Sequence, residues 1–144
     1  MSSDVPIIQK NLLSKRSVVF DDDGTSAWLY LTRPNSEQPM CDCWIYNHIT
    51  PPDPSEVSNY HSGPPPACVG YADANDTFAD TAPPDVSFVW SKSGNDVAVR
   101  INGVIMGFIA AQLSAGYSRL LLQNGPWGRV WNQAIYASLF GEDD

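Results

Sequence analysis

The chain is predicted to fold as an α+β domain in which β dominates: an antiparallel sheet of about six strands in two meanders, a long Pro-rich loop over 50–84, and one C-terminal helix. Three observations carry this. Apolar residues alternate with period two in short runs over 17–49 and 86–111, the runs are separated by turn residues, and only 129–140 shows helical spacing. A length of 144 residues suits one domain spanning the whole chain, with enough material for a core that needs no disulfide or metal.

The elements follow in order. Residues 1–15 mix Pro, Asn, Ser and Lys with Ile7, Ile8, Leu12 and Leu13, and read either as a short strand or as a docked arm. SVVF (17–20) and SAWLYLTR (26–33) are strands. Ala27, Leu29 and Leu31 share one face and Trp28 and Tyr30 the other, so both faces of this hairpin are expected to be covered. MCDCWIYNHI (40–49) is a third strand, with Trp44 and Tyr46 alternating against Cys43 and Ile45. Residues 50–84 hold eight of the twelve prolines and no periodic run; a loop of that length is functional or disordered, and Tyr60, Val69, Tyr71 and Phe78 are expected to anchor it over the sheet. VSFVWSK (86–92), DVAVRI (96–101) and VIMGFIAA (104–111) form a meander. Its second turn is Asn102-Gly103, the dipeptide suited to a type I′ hairpin because both central residues need positive φ. Leu120–Leu122 reads as a short edge strand, Pro126 as a residue of a helix's first turn, and RVWNQAIYASLF (129–140) as the helix, ended by Gly141.

Charge is unevenly spread. The net charge is −8, and from Pro34 to Ser91 there are eight acids and no Lys or Arg, while the remainder balances at eight of each. Nucleic-acid binding is disfavoured, because phosphate recognition needs a basic face. No apolar run approaches the roughly 20 residues of a membrane span, and the start lacks the apolar core of a signal peptide. The odd count of three cysteines fits a reducing compartment, so a soluble cytoplasmic protein that neither binds nor spans a membrane is expected.

The stretch most like chemistry is FDDDG, 20–24. An EF-hand needs acids at alternate positions and a Glu twelve residues from the first ligand; here the acids are consecutive and Thr32 stands at that place. Asp starts turns and Gly24 supplies a left-handed residue, so the stretch reads as a turn. Phe20-Asp21-Asp22-Asp23-Gly24, followed by Trp28 and Tyr30, resembles the F-x-D-D-G hairpin of small uncharacterised bacterial proteins grouped as a domain of unknown function. The resemblance covers about eleven residues and implies no activity and no catalytic residue.

Other constellations each have a plainer reading. Cys41-x-Cys43 with Cys68 and His48 or His61 makes four zinc-type ligands, but the spacing lacks paired C-x₂₋₄-C, and the cysteines read as small core residues. No serine lies in a G-x-S-x-G elbow, no acid pair stands out for glycoside chemistry, and no phosphate-cradling Gly motif occurs. NGPWGRVW (124–131) either exposes N–H groups to an anion beside Arg129 or simply starts the helix, with Trp127 and Trp131 stapling it to the sheet; the second reading is preferred. Trp28, Tyr30, Trp44, Tyr46, Phe88 and Trp90 form either a stacking platform or core, and core is preferred.

No catalytic residue, metal site or cofactor is therefore expected. The expectation is a binding protein, of inhibitor or immunity type, that takes a basic protein on its acidic segment. Asp53, Glu56, Asp73, Asp76 and Asp80 supply the field, and Tyr60 and Tyr71 the anchors. The alternative is a small-molecule binder or weak enzyme with a pocket near His61 and Cys68.

Overall fold

The computed structural model describes residues 6–59, 64–73 and 84–141. Among them are nine strands: β1 Ile7–Lys10, β2 Ser17–Asp22, β3 Ser26–Thr32, β4 Pro39–Asn47, β5 Val86–Trp90, β6 Val97–Ile101, β7 Val104–Ala110, β8 Ala115–Ser118 and β9 Arg129–Val130. A 3₁₀ helix covers Pro54–Asn59 and helix α1 covers Gln133–Phe140. The single six-stranded sheet of the sequence reading is corrected to two sheets, β1-β2-β3-β4 and β5-β6-β7-β8-β9. The first is antiparallel throughout; the second is mixed, because β9 runs parallel to β8.

Alternation explains how the sheets stack. Val18, Phe20, Ala27, Leu29, Leu31, Cys43 and Ile45 face inward from the first sheet and meet Val97, Val99, Ile101 and Ile109 of the second. The residues between them point outward on either side. Trp28 and Trp44 form a second cluster with Ala67, Cys68, Ala72, Leu121 and Trp127, so the described part of the Pro-rich loop covers the first sheet. Ala98, Phe108 and Tyr117 form a third cluster with Tyr136 of α1, so the helix covers the second. The order is loop, sheet, sheet, helix. The six strand aromatics therefore do not share a face: Trp28, Tyr30 and Trp44 belong to the outer cluster, and Tyr46, Phe88 and Trp90 pack on the central one.

Strand irregularities shape the stack. Between Ala27 and Trp28 the register on β4 skips Ile45, so Ile45 and Tyr46 both reach the inner cluster. The Asn102-Gly103 hairpin forms with φ of 51° and 87°, as the turn type requires. The C-terminal expectations need correction. The strand lies at Ala115–Ser118 rather than 120–122, because Gly116 and Tyr117 pair with β7. Pro126 sits in a turn closed by reciprocal Gly125–Gly128 backbone hydrogen bonds, not in a helix. Helix α1 starts only after Asn132, whose side-chain oxygen accepts from the Ile135 N–H at 3.0 Å. Trp127 and Trp131 do not staple the helix together: Trp127 packs under the loop and Trp131 on Phe108, in separate clusters.

Candidate functional site: the acidic outer face of the first sheet

The FDDDG stretch folds as a turn. Asp22 Oδ1 accepts from the Gly24 N–H at 3.0 Å, and Asp23 Oδ1 accepts from the N–H groups of Thr25 and Ser26 at 2.9 and 3.0 Å. Gly24 takes φ 90°, which a side chain would strain. The three acids then part company by strand parity. Asp22 turns to the inner-face end, where it accepts from the Tyr46 hydroxyl at 2.8 Å and meets His48 Nε2 at 2.7 Å. Asp21 turns to the outer face.

There the register builds two rows. Tyr30 lies between Val19 and Asp42, and Trp28 between Asp21 and Trp44. Tyr30 and Trp28 stack with ring centroids 6.5 Å apart. Trp44 and Trp28 are buried under the loop, while Tyr30 stays half-buried. Partial burial pushes the Tyr30 phenol up to about 12, and the carboxylates of Asp21, Asp42 and Asp23 add to the rise. Desolvation likewise raises the Asp42 carboxyl. The patch is thus an aromatic ring with the Asp42 carboxylate opposite it and that of Asp21 diagonal to it. It repels further negative charge and attracts a cation, whose partial desolvation the ring face offsets.

A cleft of about 380 Å³ adjoins the patch at Asp42 and runs between Pro39–Cys41, Ser114–Gly116 and the Gly125–Arg129 stretch. One wall is the edge of β4 that faces away from β3. Trp44 turns its N–H away from β3 to the carbonyl of Trp127 at 2.9 Å, and Asp42, two residues back, presents its backbone on the same side.

The loop is pinned by polar side chains, those of Asn47 buried. Asn47 Oδ1 accepts from Trp44 Nε1 at 2.9 Å and from the Ala67 N–H at 3.1 Å, while its Nδ2 donates to the Ala67 carbonyl at 2.9 Å. Trp127 Nε1 donates to the Pro65 carbonyl at 3.1 Å, and Gln123 Nε2 to that of Gly70 at 2.8 Å.

The expected site residues are placed as follows. Asp53 and Glu56 are exposed and cap the 3₁₀ helix. The Asp53 side chain accepts from the Ser55 N–H at 3.1 Å, and Glu56 Oε1 accepts from the Asp53 N–H at 3.2 Å. Tyr71 is an internal anchor, its ring 4.9 Å from that of Trp127. Asp73 is half-buried at the end of the loop's second described part. Tyr60, His61, Asp76 and Asp80, with the anchor Phe78, lie outside the described residues. Val69, expected to anchor the loop, is 57% exposed; Ala67, Cys68 and Ala72 do the packing instead.

Cys68 is buried in the outer cluster, whereas Cys41 and Cys43 face the central one, so the zinc set drawn from the three does not assemble. Among the described residues no group of three or more His, Cys, Asp or Glu is placed to hold a metal ion. Burial raises all three thiols, Cys41 to about 11, so none is an activated nucleophile at neutral pH.

No family model, curated protein or solved structure matches the chain. Asp42 falls within the acidic segment read from the sequence, but Asp21 and Tyr30 do not follow from a charge run taken along the chain. The usable signal was parity: Trp28 and Tyr30 share a face, and Asp21 and Asp42 follow once the strands pair.

Proposed function

We propose that the protein is a non-catalytic binding protein that takes a basic protein on the acidic outer face of its first sheet. The observation that carries the reading is the cross-strand placement of the half-buried Tyr30 directly opposite Asp42 and diagonal to Asp21 on the outer face. A Lys or Arg side chain laid on that ring would be within reach of the carboxylates, and Asp53 and Glu56 on the loop extend the same sign of charge. The raised thiols favour binding over covalent catalysis. The inhibitor or immunity-type role is an analogy of size and charge, and stays at that level. For the small-molecule alternative near His61 and Cys68, Cys68 is packed among Trp28, Trp44 and Trp127 and His61 lies outside the described residues, so no observation favours it over the acidic face.

The test is retention of proteins from the source lysate on the immobilised chain, eluted with rising salt, run beside an Asp21→Asn/Asp42→Asn variant. Basic proteins held by the wild type and lost by the variant support the reading. Equal retention by both, or retention of acidic proteins indifferent to salt, would overturn it.

A further inference from the structure

All three lysines of the chain, Lys10, Lys15 and Lys92, gather at one end of the molecule. The turn between β1 and β2 is tightly built. Asn11 Oδ1 accepts from the N–H groups of Leu13 and Ser14 at 2.9 and 3.0 Å. The Asn11 N–H donates to the Arg16 carbonyl and the Lys15 N–H to the Asn11 carbonyl, at 2.8 and 2.9 Å. Lys15 takes φ 67° to close it. The next turn, Ser91–Asn95, braces it: Arg16 Nε donates to Asn95 Oδ1 at 2.9 Å, and Asn11 lies over Gly94. That second turn carries Lys92.

This rigid frame holds apolar side chains in solvent. Leu12 and Leu13 are 76% and 70% exposed, the two highest values among the exposed large apolar residues described, and Ile8 follows at 62%. Exposed apolar groups held in a fixed turn and rimmed by charge mark a contact surface. The local charge selects its partner. Lys10, Lys15, Lys92, Arg16 and Arg33 stand against Glu37 and against Asp96, which is buried and bonded to the Ala111 N–H. In a chain of net charge −8, the described residues of this end carry more basic than acidic side chains. A projecting leucine pair rimmed by lysines suits insertion into a deformable layer with anionic headgroups.

We infer that the β1–β2 turn docks on an anionic lipid surface, with Leu12 and Leu13 entering the headgroup–acyl boundary and the three lysines meeting phosphates. The binding is peripheral; no helix among the described residues is long and apolar enough to cross a membrane. The acidic turn Asp21–Asp23 lies at the other end of β2, about 20 Å away by strand rise, beyond a Debye length of about 8 Å. The inference revises the sequence expectation of no membrane contact and stands apart from the proposed acidic face.

The test is sedimentation of the full chain with vesicles of phosphatidylcholine alone and of equal parts phosphatidylcholine and phosphatidylglycerol. The wild type should pellet with the anionic vesicles, less so as salt rises. Leu12→Asp/Leu13→Asp should lower partitioning about tenfold or more, and Lys15→Glu/Lys92→Glu should weaken it while thermal midpoints stay unchanged. Absence of wild-type binding to anionic vesicles, or full binding by the leucine variant, would overturn the inference. So would a lipid-free dimer that the leucine substitutions abolish when no vesicle binding occurs, because it gives the tip to a second copy of the chain.

Discussion

Gly116 lies so close to Cys43 that a Cβ added to the glycine would stand 2.4 Å from the Cys43 Cβ and 2.8 Å from the Asp42 carbonyl oxygen. Strand β8 therefore rests on β4 at backbone distance. At Gly107, one strand over, an added Cβ would meet the Ile45 side chain at 2.7 Å and the Tyr117 carbonyl oxygen of the paired strand β8 at 2.9 Å. Gly116→Ala should separate the sheets locally and cost about 1–3 kcal/mol of overpacking. Gly103→Ala meets no neighbour within 4 Å and should cost only its positive-φ strain, about 1 kcal/mol. Denaturant midpoints of the two variants check the order.

Those glycines also show why the stacking was hidden in the sequence. The central meander was legible because Asn102-Gly103 dictates a local turn, and the FDDDG turn because Asp22 and Asp23 bond their own backbone. Nothing in period-two alternation says which strands of the two sheets meet, and a glycine read within its own strand does not show that another backbone lies against it. Residues 129–140 carry apolar spacing compatible with a helix throughout. The backbone nevertheless spends Arg129–Val130 on pairing with β8 and starts the helix at the Asn132 cap. At the candidate site the failure is of the same kind: a charge run is read along the chain, but Asp21, Tyr30 and Asp42 become neighbours only through cross-strand register.

Asn47 ties the loop to the first sheet through three buried hydrogen bonds with Trp44 and Ala67. Asn47→Ala leaves the indole N–H and both Ala67 backbone groups without partners, and should cost about 2–4 kcal/mol. Amide exchange locates the damage. Protection should drop at Ala67 and at Val69, whose N–H donates to the Pro52 carbonyl at 2.9 Å, and should persist in β6. An equal loss in β6 would mean that loop and sheets unfold as one unit.

The thiols give a chemical test of packing. Desolvation raises Cys41 to about 11 and holds Cys43 well above 9.0, so both remain protonated at neutral pH. A thiol-specific reagent should react slowly with the native protein and label all three cysteines once it is unfolded. In the native protein, half-buried Cys41 should lead as pH approaches 11, with Cys43, fully buried, following only on opening.

Tyr30 makes stability depend on alkaline pH with a definite sign. Burial first, then Asp21, Asp42 and Asp23, raise its phenol from 10.0 to about 12. The folded chain thus holds this proton more tightly than the unfolded chain. Its contribution to stability is complete below pH 10.0 and disappears as pH climbs from there to about 12. The informative quantity is a difference between two variants. The gap in thermal midpoint between wild type and Tyr30→Phe should be constant up to about pH 10 and then shift against the wild type. In an absorbance titration, Asp42→Asn should bring the Tyr30 phenol down by removing one of the carboxylates that oppose its ionisation. A phenol that does not move on Asp42→Asn would show that Asp42 and Tyr30 do not share one field, and the acidic patch would lose the residue that links it to the cleft.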